Sequence, residues 1–361
     1  MSERLPKGVA TLAQLAEFDE VIDARSPAEY AEDHLPGAVS CPVLSDEERT
    51  RVGTLYVQVS PFEARKVGAV LVAHNIAHHV EERFLDKPKA WRPLVYCWRG
   101  GQRSGAFCHI LQEIGWHAAR LQGGYKIWRR HILDELAILP AQYCFKVISG
   151  ATGSGKSRVL EELARQGAQV LHLEELAAHK GSVLGNLPGL SQPSQKLFES
   201  RLFAALSSFD PTRPVYTEAE SRRIGTAQMP DALLAALRAA PCLCIEATME
   251  ARVNFLLRDY TYFLADPRWL AERIGQLKGL QSNETLARWI ALIESGDFRT
   301  LVAELLAKHY DPLYQRSQAK NYRDFGVADS FCTDDLSEAG ISRLAAAILA
   351  ARENRGLSPI S

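Results

Sequence analysis

Two short stretches combine residue types whose spacing points to chemistry. The first is Cys97-Trp98-Arg99-Gly100-Gly101-Gln102-Arg103. A strand ending at Tyr96 delivers the thiol and Ser104 opens a helix, so loop N–H groups and a positive helix terminus converge on one point. With Arg99 and Arg103 adding charge, that setting favours a thiolate and binds an anion beside it, the two needs of a nucleophilic cysteine. For an arbitrary cysteine the competing reading is a small buried residue closing a core strand. The arginines and glycines of this loop weigh against it, whereas Cys108 in the following helix reads as core packing. The second stretch is Gly150-Ala151-Thr152-Gly153-Ser154-Gly155-Lys156-Ser157, a full match to G-x-x-x-x-G-K-[ST] between a strand and a helix. Gly150, Gly153, Ser154 and Gly155 let backbone N–H groups wrap a phosphate, Lys156 supplies a point charge, and the Ser157 hydroxyl can join a Mg²⁺ shell. The motif reports a phosphate chain without naming its carrier: ATP, GTP and a prenyl diphosphate all offer one.

Weaker candidates surround the second stretch. Pro214-Val215-Tyr216-Thr217-Glu218-Ala219-Glu220 reads as a strand reaching a polar end, which makes Glu218 the candidate carboxylate to share a Mg²⁺ with Ser157. Glu220, Arg222 and Arg223 follow, either facing phosphates or forming solvated surface. His179, in His179-Lys180-Gly181-Ser182, is either a catalytic group or a polar surface histidine. Ser191-Gln192-Pro193-Ser194-Gln195-Lys196 is a further loop near the expected crevice.

The elements that must position these residues describe an α/β protein. Before residue 138, Val21-Ile22-Asp23-Ala24 and Leu94-Val95-Tyr96 read as strands, Ser26 to Glu32 as a short capped helix, Pro61 to Phe84 as a long amphipathic helix and Ser104 to Ile114 as a helix. From 139 onward, Tyr143 to Ile148, Val170 to Leu173 and Cys242 to Ile245 read as buried strands alternating with helices, the first helix spanning Ser157 to Arg165. That is the pattern of a doubly wound parallel sheet. The expected domains are 1–138 and 139–361, the latter with a helical part over about 249–325.

Composition narrows the class. With 361 residues, 47% hydrophobic, 24% charged and a net charge of -1, the chain has the makeup of a soluble protein of two or three domains. A globally basic nucleic-acid binder is not indicated, while a local basic face stays open, so charge neither proves nor excludes RNA. The seven cysteines include no CxxC pair, so free thiols in a reducing compartment are expected. No apolar leader and no run of about 18 apolar residues occur, which points to the cytoplasm and away from membranes. From Met249 to Arg323, Arg252, Arg258, Arg268, Arg273, Lys278, Arg288, Lys308, Arg316 and Lys320 interleave with Tyr260, Tyr262, Trp269, Trp289, Tyr310 and Tyr314. This is either an RNA-binding face or a plain amphipathic helical surface. Trp128-Arg129-Arg130-His131 is a second, more compact basic patch.

Residues 10–135 resemble a rhodanese domain, on Asp23-Ala24-Arg25-Ser26-Pro27-Ala28-Glu29-Tyr30, His34-Leu35-Pro36-Gly37-Ala38 with Pro42, the Cys97 loop, and Leu121-Gln122-Gly123-Gly124-Tyr125 before Trp128. The resemblance implies that Cys97 carries sulfur or selenium as a persulfide or perselenide. The loop departs from the common sulfurtransferase pattern: it is Cys-x5-Arg, one residue longer, a length shared by rhodanese-related phosphatases and better suited to a phosphate-bearing donor than to thiosulfate. With Gly150 to Ser157, Glu218 to Gly225, His179 to Ser182 and His309-Tyr310-Asp311-Pro312-Leu313-Tyr314 added, nearly the whole chain resembles the tRNA 2-selenouridine synthase family. That resemblance implies a bacterial transferase that replaces the sulfur of wobble 2-thiouridine in tRNA by selenium. It also implies selenophosphate as donor, an S-geranyl intermediate made from geranyl diphosphate on the P-loop, no tightly bound cofactor, and Mg²⁺ as an option. Two other classes stay open: an ATP-dependent tRNA thiolation enzyme or RNA kinase, and a sulfur-relay protein that passes a persulfide to a partner.

Overall fold

The computed structural model describes residues 8–180, 189–259, 261, 266–314, 316 and 329–353. Among the sequence candidates, Gly181, Ser182, Tyr260, Tyr262, Lys320 and Arg323 lie outside the described residues. The chain divides into two compact units, 1–135 with 194–204, and 136–193 with 205–361. The assignment of 194–204 to the first unit has no counterpart in the sequence pattern.

The first unit is built on a five-stranded parallel sheet of β1 (Val9–Ala10), β2 (Glu20–Asp23), β3 (Val39–Ser40), β4 (Pro93–Tyr96) and β5 (Ala119–Leu121), in the order β1-β5-β4-β2-β3. Its strands are short, and the central β4 is buried at every position, as a covered parallel strand is. Helix α1 (Pro27–Glu32) begins where sequence predicts: Ser26 precedes Pro27 at the first helical position, and the Ser26 N–H donates to Glu29 Oε2 at 3.1 Å. α2 (Asp46–Gln58) and α3 (Pro61–Arg83) form a helical hairpin, followed by α4 (Gln102–Ile114) and α5 (Gly124–Ile138). The expected Pro61–Phe84 helix is present; α2 is an addition, opened by a Ser45–Glu48 capping box. The core gathers Ile22, Val43, Ile76, Phe84, Trp91, Val95, Phe107 and Leu111.

In the second unit, β6 (Phe145–Gly150) leads into α6 (Lys156–Arg165), then β7 (Gln169–Leu171), α7 (Leu173–Leu176), α8 (Gln195–Ser207, whose start belongs to the first unit) and β8 (Val215–Glu218). A two-stranded antiparallel hairpin follows, β9 (Arg223–Ile224) with β10 (Ala227–Gln228), then α9 (Asp231–Ala239), β11 (Cys242–Ala247), α10 (Met249–Asp259), α11 (Pro267–Gly275), α12 (Asn283–Ser295) and α13 (Phe298–Leu305). A π-helical turn, Leu306–Tyr310, precedes β12 (Asp329–Thr333) and α14 (Glu338–Glu353). The sheet is parallel throughout, in the order β12-β11-β6-β8-β7. The first strand in sequence, β6, is therefore central, with β8 on one side and β11 on the other. The chain runs from β6 to β7 on one side and from β11 to β12 on the other, so the ligand crevice of a doubly wound sheet opens at the carboxyl ends of β6 and β11. The glycine-rich loop occupies that position.

α11 to α13 build a core of their own around Trp289, which is fully buried with Ile274, Leu277, Ile293 and Leu301. Trp289 thus serves packing, not base stacking. Arg258 donates to the Leu336 carbonyl, and Arg288 and Lys308 both pair with Glu304. These contacts favour the amphipathic-surface reading of this segment over a continuous RNA face. Arg268 and Lys278 remain exposed.

Candidate functional site

The Cys97 loop rests on a buried polar frame. Arg25 donates to both carboxylate oxygens of Asp23 and to the Asp33 carbonyl, and its guanidinium lies 4.0 Å from the Tyr125 ring centroid. Tyr96 donates to Asp23 Oδ2 at 2.6 Å and Tyr125 donates to Asp33 Oδ2 at 2.7 Å. A buried ion pair survives only when its remaining donors and acceptors are also met, and here two tyrosines and a carbonyl do so. The frame locks the carboxyl ends of β2 and β4 together, one residue before Cys97.

The Cys97 thiol is buried, 3.2 Å from the Ser104 hydroxyl, which in turn donates to the Gly101 carbonyl. Gly100 and Gly124 take positive φ values of 63° and 57°. A methyl on Gly100 would lie 2.4 Å from the Leu121 carbonyl, and one on Gly124 would lie 2.2 Å from the Cys97 carbonyl. The loop is pressed backbone to backbone against the Leu121–Tyr125 turn, and Tyr125 and Lys126 N–H groups bond the Cys97 and Trp98 carbonyls. Among the described residues, the backbone N–H groups of 98–104 donate to no protein acceptor, which leaves a row of donors around the thiol for an anion.

The two loop arginines are used differently. Arg103 is taken by Glu29, with bonds of 2.7 and 3.3 Å, and Arg49 also reaches Glu29. Burial alone would raise the Glu29 carboxyl, but the Arg103 hydrogen bond and charge hold it below the usual carboxylate range. Arg103 thus braces α4 to α1 through Glu29. Arg99 is exposed and makes no ion pair among the described residues. Cys108 lies in the core, its thiol pushed by burial up to about 11. In the Trp128–His131 patch, Trp128 and His131 pack on Phe203 and Arg129 pairs with Glu199; Arg130 alone stays exposed.

In the second unit, Gly150, Gly153 and Gly155 take positive φ values of 154°, 80° and 80°. Lys156 Nζ donates to the Gly150 carbonyl at 2.7 Å, and burial pulls its ammonium below its ordinary value, opposed by Glu174, Glu220 and Glu218. The Ser154 hydroxyl is buried, lies against Gly150, and has no hydrogen-bond partner. An orphaned hydroxyl inside a loop of this conformation is an acceptor or donor waiting for a ligand oxygen.

The carboxylate that meets Ser157 is Glu174, not Glu218: the Ser157 hydroxyl donates to Glu174 Oε2 at 3.0 Å. Glu218 accepts from the Leu173 N–H at 3.0 Å and from Thr217 Oγ1. Burial, with the Glu174 charge added, pushes Glu218 up to about 7. Glu220, two residues past the end of β8, is raised by the same two causes. Glu174 lies in α7, directly after β7, and the pairing of β7 with β8, itself the neighbour of β6, is what places it here. Among the described residues, no three His, Cys, Asp or Glu side chains cluster as metal ligands. Ser157 and Glu174 nevertheless present adjacent oxygens of the kind Mg²⁺ takes alongside substrate phosphates.

His179 is buried, not a surface residue, with its N–H bonded to the Glu174 carbonyl and its imidazole pulled down by burial. Arg222 pairs with Asp231 on the surface, and Arg223 is exposed in β9; neither is drawn into the loop. Gln192 bonds the Ala177 and Ile224 carbonyls and the Thr226 N–H, tying the β9–β10 hairpin down. Arg252 and Asp311 went unrecognised as a pair in sequence. Arg252 Nε donates to the Thr152 carbonyl at 2.9 Å, and its other nitrogens take both Asp311 oxygens at 3.0 and 2.6 Å.

Comparison with known proteins places both halves. A family profile described as a rhodanese-like domain matches residues 8–131, and one described as the tRNA 2-selenouridine synthase AAA domain matches 144–293. Relatives named tRNA 2-selenouridine synthase include those of Nitrosomonas europaea (34% identity, 71% of this chain, 66% of the relative) and Alcanivorax borkumensis (33%, 81% and 88%). That of Aeromonas salmonicida is 31% identical over 90% of this chain and 94% of its own length. A thiol loop on a rhodanese-like sheet, a phosphate loop on a P-loop sheet and this extended similarity lead to one conclusion: the chain belongs to the tRNA 2-selenouridine synthase family.

Proposed function

We propose that this protein replaces the sulfur of wobble 2-thiouridine in tRNA by selenium, acting as a geranyltransferase and then as a selenotransferase. What supports the reading is that one chain carries two glycine-rich loops of different kinds, one beside a buried thiol and one around a buried lysine. A thiocarbonyl sulfur leaves C2 poorly, whereas an alkylated sulfur leaves readily. Prior alkylation by geranyl diphosphate therefore activates the base without ATP, and the diphosphate is what the Gly150–Ser157 loop holds. Lys156 exchanges its carbonyl partners for phosphate oxygens, Ser154 supplies the orphaned hydroxyl, and Ser157 with Glu174 would hold Mg²⁺, which when bound neutralises diphosphate charge. Alkylation breaks the geranyl C–O bond, forms a C–S bond and releases diphosphate and the base's N3 proton. In the second reaction selenophosphate occupies the Cys97 loop, with N–H groups 98–104 and Arg99 on its phosphate.

The test is mass spectrometry of tRNA nucleosides after incubation with thiolated tRNA, geranyl diphosphate and selenophosphate. Cys97→Ala should abolish selenium entry and preserve geranylation; Lys156→Ala should suppress geranylation. Tight ATP turnover stimulated by tRNA with no geranylated nucleoside would replace this reading by an ATP-dependent one.

A further inference from the structure

We propose that this chain pairs with a second copy of itself through one face of α3, the two helices running antiparallel about a two-fold axis at Ala73. The inference stands apart from the function proposed above and concerns a surface that neither glycine-rich loop uses.

α3 spans 23 residues from Pro61 to Arg83, about 35 Å of helix. Its inward side buries Ala64, Gly68 and Ile76 and packs on α2 and α4. On its outward side, residues four apart form a ridge. That ridge is Arg65, Ala69, Ala73, Ala77 and Glu81, every one exposed. Pro61 opens the same row and Leu85, in the turn just after the helix, closes it; both are exposed, Leu85 at 73%.

A two-fold contact requires a patch that complements itself when turned end for end. Turned about Ala73, this ridge lays Arg65 against the second copy's Glu81, Ala69 against its Ala77 and Pro61 against its Leu85. Charge meets opposite charge, small meets small and apolar meets apolar. Ala73 faces its own copy at the axis, and three alanines in a row let the two helix axes approach to about 8 Å. The neighbouring ridge, running from Phe62 through Lys66, Val70, His74 and His78 to Glu82, fails the same operation. Turned about its own centre, it would set Phe62 against Glu82 and Lys66 against His78.

The charges of the two ridges differ in the same sense. On the neighbouring ridge, Lys66 pairs with Glu63 at 2.7 Å and His78 with Glu82 at 3.3 Å. Arg65 and Glu81 make no ion pair among the described residues. Glu81 stands in the last turn of α3, where the negative end of the helix dipole disfavours a carboxylate. An arginine brought there by an antiparallel copy offsets that repulsion. A parallel pair would instead set Arg65 on Arg65 and Glu81 on Glu81, which excludes it. A nucleic acid or an anionic membrane would meet Glu81 and Glu82 together with Arg65, so opposite charges at the two ends of one ridge favour a copy of the chain over a polyanion.

The test is sedimentation velocity of the full chain over a concentration series. One helix face per copy lies at the low end of specific interfaces, so the expected dissociation constant is on the order of 10–100 µM at low salt and rises with ionic strength. Ala73→Glu places two carboxylates at the axis and should weaken association about tenfold or more, while circular dichroism and Tm stay native because the position is exposed. Arg65→Glu and Glu81→Arg should each weaken it about tenfold, and the two together should restore it. Under mild oxidation, Ala73→Cys should give a reducible covalent dimer that the unaltered chain, with its exposed Cys144 and Cys332, does not give. A chain that stays monomeric throughout the series, a dimer indifferent to Ala73→Glu, or a charge swap that fails to restore pairing would each overturn the proposal. Binding of unmodified tRNA or of phosphatidylserine vesicles that is lost with Ala73→Glu, in a chain that stays monomeric, would assign the face to that partner and overturn it as well.

Discussion

Asp311→Asn tests whether the phosphate loop depends on support from outside its own motif. In the native chain, Asp311 accepts two charge-assisted hydrogen bonds from Arg252, whose side chain is 7% exposed against 24% for Asp311. Asparagine keeps one acceptor and turns an amide N–H toward the second guanidinium nitrogen. One charge-assisted bond is lost, worth about 1.5–3 kcal/mol, and the partial exposure of Asp311 places the expectation near ~2 kcal/mol. For a unit of this size that lowers Tm by roughly 4–8 °C. The consequence reaches the ligand, because a trans peptide sets the Thr152 carbonyl and the Gly153 N–H on opposite sides. Arg252 holds that carbonyl, and so aims that N–H. Loosening the brace should weaken binding of inorganic pyrophosphate by about tenfold, the equivalent of ~1.4 kcal/mol. Calorimetric unfolding and pyrophosphate titration of the full chain measure both. A double-mutant cycle with Arg252→Met should show a coupling of about 1–3 kcal/mol. An unshifted transition together with unchanged pyrophosphate affinity would refute the reasoning.

Four further outcomes follow from particular contacts. Because the Glu29 carboxyl is held below its unfolded value, its pair with Arg103 stabilises the first unit at neutral pH and is lost as pH falls through the depressed value; Glu29→Gln should lower Tm at pH 7 and match the native chain in acid. Glu218 is shifted the other way, from 4.5 to about 7, so its contribution is fully present below the unfolded value and lost as pH rises through about 7; Glu218→Gln should flatten the fall in stability between those two values and leave the alkaline side unchanged. Trp289→Ala should cost about 3–5 kcal/mol and leave the RNA affinity of the folded chain unchanged, as a core residue does. With the Cys41 and Cys108 thiols raised to about 11, alkylation at pH 8 followed by peptide mapping should label Cys144 and Cys332 well before either.

Local signals carried much of this architecture. The Ser26–Glu29 cap, the strand before Cys97 and the strand–loop–helix around Lys156 depend on neighbours within a few residues, and each stands where its pattern puts it. The thiol and the phosphate loop were legible for the same reason. Partners chosen by tertiary pairing were not. Glu174 meets Ser157 because β7 and β6 flank the same strand, a fact of sheet order that spacing does not encode. Arg103 looks like an anion ligand until α1 brings Glu29 to it across 74 residues. Arg252 and Asp311 are 59 residues apart, each plausible alone as surface charge. Trp289 shows the converse error: periodicity marked its helix, but only the packing of α11 to α13 decided that its ring faces inward.

The contact between Gly100 and Gly124 also bears on how this loop can be re-engineered. A side chain on Gly124 would run into the Cys97 and Gly100 backbone, and one on Gly100 into the Leu121 carbonyl, so the thiol loop and the Leu121–Tyr125 turn behave as two halves of one moulding. Grafting a foreign Cys-x5-Arg loop into this scaffold, or this loop into another rhodanese-like sheet, should succeed only when both segments are transplanted together.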